Sequence, residues 1–263
     1  MEQQAPQRTA ISGPTLVRLL ARLAQREASE PSQSLSDRLA EWLGWADAIT
    51  LSSALNGAAA AASGAAVRSA APAASAASAA SAGEPGDAGD DAQAWCTRSR
   101  ASLVQAIAAA TQGAPSTRAR AGSAPAGPPP DYADLRQRYL SAQQTMESEI
   151  AELRQRLRSK LAACGVSGRA RLASVDAVME RALGARERSL LATVPTLLGA
   201  RFERLREAAQ ASADDGDGEV PAAAASNPAW LRTFRRDMQA VLLAELEVRF
   251  QPVEGLLAAL RNR

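Results

Sequence analysis

Histidine is absent from this 263-residue chain. With it go the imidazole that most often moves protons near neutral pH and the commonest metal ligand. Cysteine occurs twice, at Cys96 and Cys164, too sparsely for a disulfide framework or a zinc finger. Two unpaired thiols fit a reducing compartment, and each reads as a small core or surface residue rather than a nucleophile. Aromatic residues are scarce, with 3 Phe, 4 Trp and 2 Tyr. Lysine occurs once, at Lys160, so 29 of the 30 basic residues are arginine. Long hydrophobic runs are also missing: the longest, Leu190 to Ala200, falls short of the roughly 20 residues needed to span a bilayer. The first twelve residues are polar, and the leucine-rich stretch that follows is cut by Arg18 and Arg22. Neither a signal peptide nor a transit helix fits, and the expected compartment is the cytoplasm.

What is abundant is alanine. Residues scored hydrophobic make up 46% of the chain, but 63 of them are alanine. Large apolar side chains are thus only about one residue in five, close to the composition at which chains stop folding. These side chains are unevenly spread. Residues 57–91 hold only Val67, 112–130 hold none and 211–228 hold only Val220, so the three stretches read as disordered linkers. The first is an alanine/serine tract, the second ends in Pro128 to Pro130 and the third contains the acidic run from Asp214 to Glu219.

Between the linkers the periodicity is helical and no strand pattern occurs. Ser12-Gly13-Pro14-Thr15 is a helix start, followed by Leu16, Leu19, Leu20 and Leu23. Ser34 or Ser36 would cap a second helix with Leu35, Leu39, Trp42, Leu43, Ala46 and Ile49 on one apolar face, ending at Asn56-Gly57. Residues 1–56 are therefore expected to form an N-terminal helical hairpin, with a helix over 92–111 packing on it to complete a small bundle.

Asp131 would cap a long helix reaching Cys164. In it Leu135, Tyr139, Ala142, Met146, Ile150, Leu153, Leu157, Leu161 and Cys164 recur at alternating steps of three and four. This heptad-like seam buries against another helix, either within the chain or between chains. After Gly165-Val166-Ser167-Gly168 the pattern resumes, with Pro195 expected to kink or restart it, so 131–210 reads as a long helical hairpin. Residues 229–263 supply C-terminal helices, with Pro252 expected to reset the chain into a short last helix. The fold class is all-α: a small N-terminal helical bundle plus a long helical hairpin or coiled coil, joined by linkers.

Chemical motifs are weak. Gly165-Val166-Ser167-Gly168 resembles half of a nucleophile elbow without its strand or its histidine, and reads as a turn. Asp215-Gly216-Asp217-Gly218-Glu219 alternates oxygens like a calcium loop but lacks the glycine at position six and the closing glutamate, and reads as a solvated linker. Phosphate-binding and dinucleotide-binding glycine loops and C-x-x-C are absent. No catalytic residue, cofactor or metal ligand is expected. The most unusual local feature is Trp42 and Trp45, three residues apart and so near one side of a helix. They are core residues, or one of them anchors a partner helix.

The stretches RTAISGPTLVRLLARL, SLSDRLAEWLGWADAITLSSALNG and AWLRTFRRDMQAVLLAELEVRFQPVEGLLAALRN resemble an uncharacterised beta-proteobacterial family catalogued only as a domain of unknown function. The resemblance covers the chain apart from its linkers and brings no catalytic residue with it. It implies a bacterial cytoplasmic protein with a role in an envelope-linked assembly.

Two functions compete. The first is a non-enzymatic helical adaptor that self-associates or docks onto a helical protein, with Trp42, Trp45, Met146, Ile150, Leu153, Leu157 and Leu161 as its interface. The second is nucleic-acid binding by the two helices of residues 14–48. Charge disfavours the second, because residues 1–56 carry five arginines against six carboxylates and a phosphate-binding unit needs a basic face. Membrane contact is expected only indirectly.

Overall fold

The computed structural model describes residues 15–25, 34–64, 87–112, 131–214 and 228–261. Among these residues every regular element is a helix: α1 (Thr15–Ala24), α2 (Leu35–Trp42), α3 (Trp45–Gly64), α4 (Asp87–Gln112), α5 (Tyr132–Ala163), α6 (Ser167–Leu191), α7 (Val194–Asp214) and α8 (Ala229–Arg261). None of them is long and apolar enough to cross a membrane.

Four rods form the core, and their directions follow from the side chains that meet. Tyr132 packs edge-on to Phe234 and Gln143 donates to Glu245, so α5 and α8 run parallel. Arg261 reaches Gln93 at one end of α4, and Arg100 reaches Glu254 about two turns on, so α4 is antiparallel to α8. On the far side α6 runs antiparallel to α5, with Arg158 on Asp176 and Arg188 on Glu147. α6 and α7 together descend along α8, through Arg249–Glu187 and then Arg201–Asp237. The result is an up-down four-helix arrangement in which α6 and α7 share one position.

The long seam behaves as its spacing requires. Leu135, Tyr139, Ala142, Met146, Ile150, Leu153, Leu157 and Leu161 are all buried. Cys164 does not belong with them: it caps α5 and is exposed. The chain then reverses at Gly165, whose φ of +69° lies in the left-handed region where a side chain would be strained. Pro195 restarts the helix as expected, with α6 ending at Leu191 and α7 beginning at Val194. In the first turn a proline sacrifices no helical donor. The Tyr132 hydroxyl donates to the Pro195 carbonyl, tying the restart to the beginning of α5.

Pro252 corrects the expectation of a break, because α8 continues through it to Arg261. The buried row Val253, Leu256, Leu257 and Leu260 lies beyond it and holds that last segment on the core.

The N-terminal elements depart furthest from expectation. α1 and α2 do not pair as a hairpin. Instead α1 lies on α7 and α8, with Arg204 donating to the Leu23 carbonyl at 2.5 Å, while α2 and α3 lie on α6. The two-helix unit envisaged for nucleic acid is therefore split between different supports. The helix expected from Leu35 to Asn56 also breaks. Ser34 caps it by accepting from the Asp37 amide at 3.1 Å, but Leu43 is extended at ψ 113° and a new helix starts after Gly44. That helix passes Asn56-Gly57 and ends at Gly64, since the alanines after Gly57 are the strongest helix formers available. α4 begins at Asp87 and packs on α5 and α8 rather than on an N-terminal bundle. The ends of the three proposed linkers are thus helical at 57–64, 87–91, Gln112 and 211–214. Their remainder, with the calcium-like run from Asp215, lies outside the described residues.

Candidate functional site

The seven residues singled out as an interface separate into two groups. Met146, Ile150, Leu153, Leu157 and Leu161 are buried in the chain's own core, so the seam closes intramolecularly and offers no surface to a partner. Periodicity shows that a stripe must be covered but not by what. Here α4, α6 and α8 supply the cover. Trp42 and Trp45 remain near the surface, on two helices rather than one. Trp42 is half-buried, with the Arg186 guanidinium of α6 5.6 Å from its ring centroid. Trp45 starts α3 and is 83% exposed.

α3 makes this region unusual. From Trp45 to Asn56 its one charged residue is Asp47, and apolar side chains occur on all sides of the helix. Leu51 and Ala54 are partly covered, on the flank where α3 meets α6. Trp45, Ile49 (51% exposed) and Leu55 (40% exposed) are left to solvent, the first two one turn apart. Ile49 was expected on the buried face, and its exposure follows from the break at Leu43–Gly44, which rotates α3 out of register with α2.

α6 is well anchored beneath this layer. Arg154 and Arg158 of α5 grip Asp176 and Glu180 of α6, with separations of 2.6 to 3.3 Å. Both arginines and Asp176 are only 12% exposed, so water screens the contacts weakly.

A second polar cluster lies inside the bundle. Glu245 of α8 is fully buried, accepting from the Tyr139 hydroxyl and, at 2.9 Å, from the Gln143 amide. Burial pushes its carboxyl up to about 8, an effect only partly offset by the positive charge of Arg249 one turn along the same helix. Arg249 pairs with Glu187 at 3.2 Å through one terminal nitrogen, while its buried Nε has no hydrogen-bond partner. Arg249, Glu187 and Pro252 line a groove of about 450 Å³ between α5, α6 and α8. Sequence reading missed this cluster because Glu245 occupies an apolar-face position where nothing but its own spacing, four residues after Val241, marks it as internal. Among the described residues no group of three or more His, Cys, Asp or Glu side chains is placed to hold a metal.

A family model described as protein of unknown function (DUF3348) matches residues 1–262. The chain belongs to the DUF3348 family. No curated protein and no solved structure matches this DUF3348 chain. Membership thus agrees with the resemblance read from its terminal motifs and adds no activity.

Proposed function

We propose that the chain is a non-enzymatic helical scaffold that pairs with a second copy of itself through the open face of α3. One observation carries the reading: a tryptophan 83% exposed beside a half-exposed isoleucine, on a helix already fixed to the bundle by its other side. Large apolar side chains placed together at a surface mark interaction sites, and tryptophan is enriched among residues that dominate binding energy.

The choice of a second copy rests on charge. A two-fold axis brings each residue near its own equivalent, so a patch rich in one sign of charge repels itself. The open face of α3 combines Trp45, Ala48, Ile49, Ser52 and Leu55 without a charged side chain and meets its copy at no such cost. Ala48 and Ser52 also let two helix backbones approach closely, with Trp45 of each copy covering the other helix.

Sedimentation velocity on the full chain tests this. A concentration-dependent dimer is expected for the wild type, and W45E combined with I49E should be monomeric with unchanged far-UV circular dichroism. Trp45→Ala alone should weaken the dimer by about 2 kcal/mol, roughly 30-fold in Kd. A wild-type chain that stays monomeric at 100-fold the concentration of a typical micromolar contact, or a double variant that still dimerises, overturns the reading.

A further inference from the structure

We propose that Glu245 and Arg249 form a protonation-driven relay in the bundle core, in which loss of the Glu245 proton draws the Arg249 guanidinium off Glu187 and releases α6 from α8 at that point. The geometry carries the argument. Glu245 has no contact with water, and its two partners are a hydroxyl and an amide. A tyrosine hydroxyl both donates and accepts, and a glutamine amide presents either its NH2 or its oxygen, so the pair satisfies a neutral carboxyl and a carboxylate alike. A purely structural anchor for a carboxylate would place a guanidinium there instead. The nearest guanidinium, Arg249, stands one turn along α8 and faces two ways: its terminal nitrogen holds Glu187, and its buried Nε–H is unsatisfied. An unsatisfied buried donor is costly, and a new carboxylate one turn below is the acceptor it lacks.

The other charged groups near this level are already engaged. In the same groove Arg154 of α5 is held by Asp176 and Glu180 of α6, and Arg188 of α6 by Glu147 of α5; on α4, Arg100 is held by Glu247 and Glu254. Arg201 of α7 and Arg22 of α1 meet Asp237, two turns towards the start of α8, and Arg204 is held by the Leu23 carbonyl. Arg249 is therefore the cation placed to answer Glu245. The groove that it lines with Glu187 brings solvent to within one helical turn of the carboxyl, which gives the proton a way out.

Thermal unfolding of the full chain between pH 5 and pH 9.5 is the test, comparing wild type with E245Q, E187Q and R249Q. The wild-type melting temperature should fall as pH rises from 5 and level off above about pH 8, where folded and unfolded chains have both released the proton. E245Q should remove that fall. E187Q frees Arg249 for Glu245 and should move the pH at which the fall levels off down by about one unit, a tenfold change in proton affinity. R249Q should move it up. Carbon-13 detection of the Glu245 carboxyl in wild type and E187Q makes the same comparison if R249Q does not fold. A pH dependence equal in wild type and E245Q, or an E187Q titration that stays in place or moves up, overturns the relay.

Discussion

At the scale of single residues, charge burial and close packing set the measurable effects. Glu245 shows the first. Its folded carboxyl holds its proton up to about 8, against 4.5 for the exposed group. Between those values the unfolded chain has released a proton that the folded chain keeps. The stability contributed by this difference is complete below pH 4.5 and declines as pH rises through about 8. At 1.36 kcal/mol per unit the whole decline is on the order of 5 kcal/mol, and the relay to Arg249 reduces it. Gly199 shows the second. A Cβ there would stand 2.9 Å from Cε1 of Tyr132, whose ring is wedged against Phe202 and Phe234 at centroid distances of 5.5 and 6.2 Å. Gly199→Ala should therefore destabilise the chain by about 1–3 kcal/mol despite alanine's better helix propensity, measured by urea unfolding. An unchanged or higher midpoint would show that Tyr132 moves aside freely.

Helices are joined here by unequal means, and their sequences disclose only some of them. α5 was legible almost to the residue: it starts after Asp131, although that side chain makes no capping hydrogen bond, it ends at Cys164, and its eight buried positions follow from three-and-four spacing. The clasp between α5 and α6 was not, because i,i+4 counting finds partners along one helix and is blind to Arg154 and Arg158 reaching Asp176 across a turn. Removing one member of such a weakly solvated set leaves the others uncompensated. Asp176→Asn should cost about 2–4 kcal/mol in chemical denaturation, and much less in an R154M/R158M background. Equal losses in both backgrounds would show that the clasp contributes nothing. α2 and α3 illustrate the opposite failure. The apolar pattern from Leu35 to Ile49 is continuous, yet the helix breaks at Leu43–Gly44, and the break turns Trp45 and Ile49 outward. A glycine in such a pattern marks where a break is cheap. It does not say that one occurs.

For the molecule as a whole, α8 is the organising element, touching α1, α4, α5, α6 and α7. It also supplies 12 of its 13 buried residues as apolar side chains, Glu245 being the thirteenth. A chain ending at residue 228 should lose cooperative unfolding and near-UV circular dichroism. A chain starting at residue 65 should keep both, since α1, α2 and α3 lie outside the four rods. Scanning calorimetry of the two truncations distinguishes these outcomes, and a cooperative transition in the shorter C-terminal truncation would refute the central place given to α8. The same view explains why α4 joins α5 and α8 rather than an N-terminal bundle, while α5 and α6 pair as the expected hairpin. Helices neighbouring in sequence pair when short loops constrain them. The stretches before α4, α5 and α8 are long rather than short, and α4 packs on α5 and α8.

Composition and periodicity by themselves determined that the described residues are helical, where α5 starts and stops, and which stripe of it is buried, because those properties follow from local backbone energetics and from the 3.6-residue turn. Only the tertiary structure decided that the stripe closes within the chain, that a glutamate sits among its apolar neighbours, and that Trp45 is left uncovered. Burial is a relation between segments far apart in sequence, and a helix's own residues specify that a face needs covering without specifying which other helix arrives to cover it.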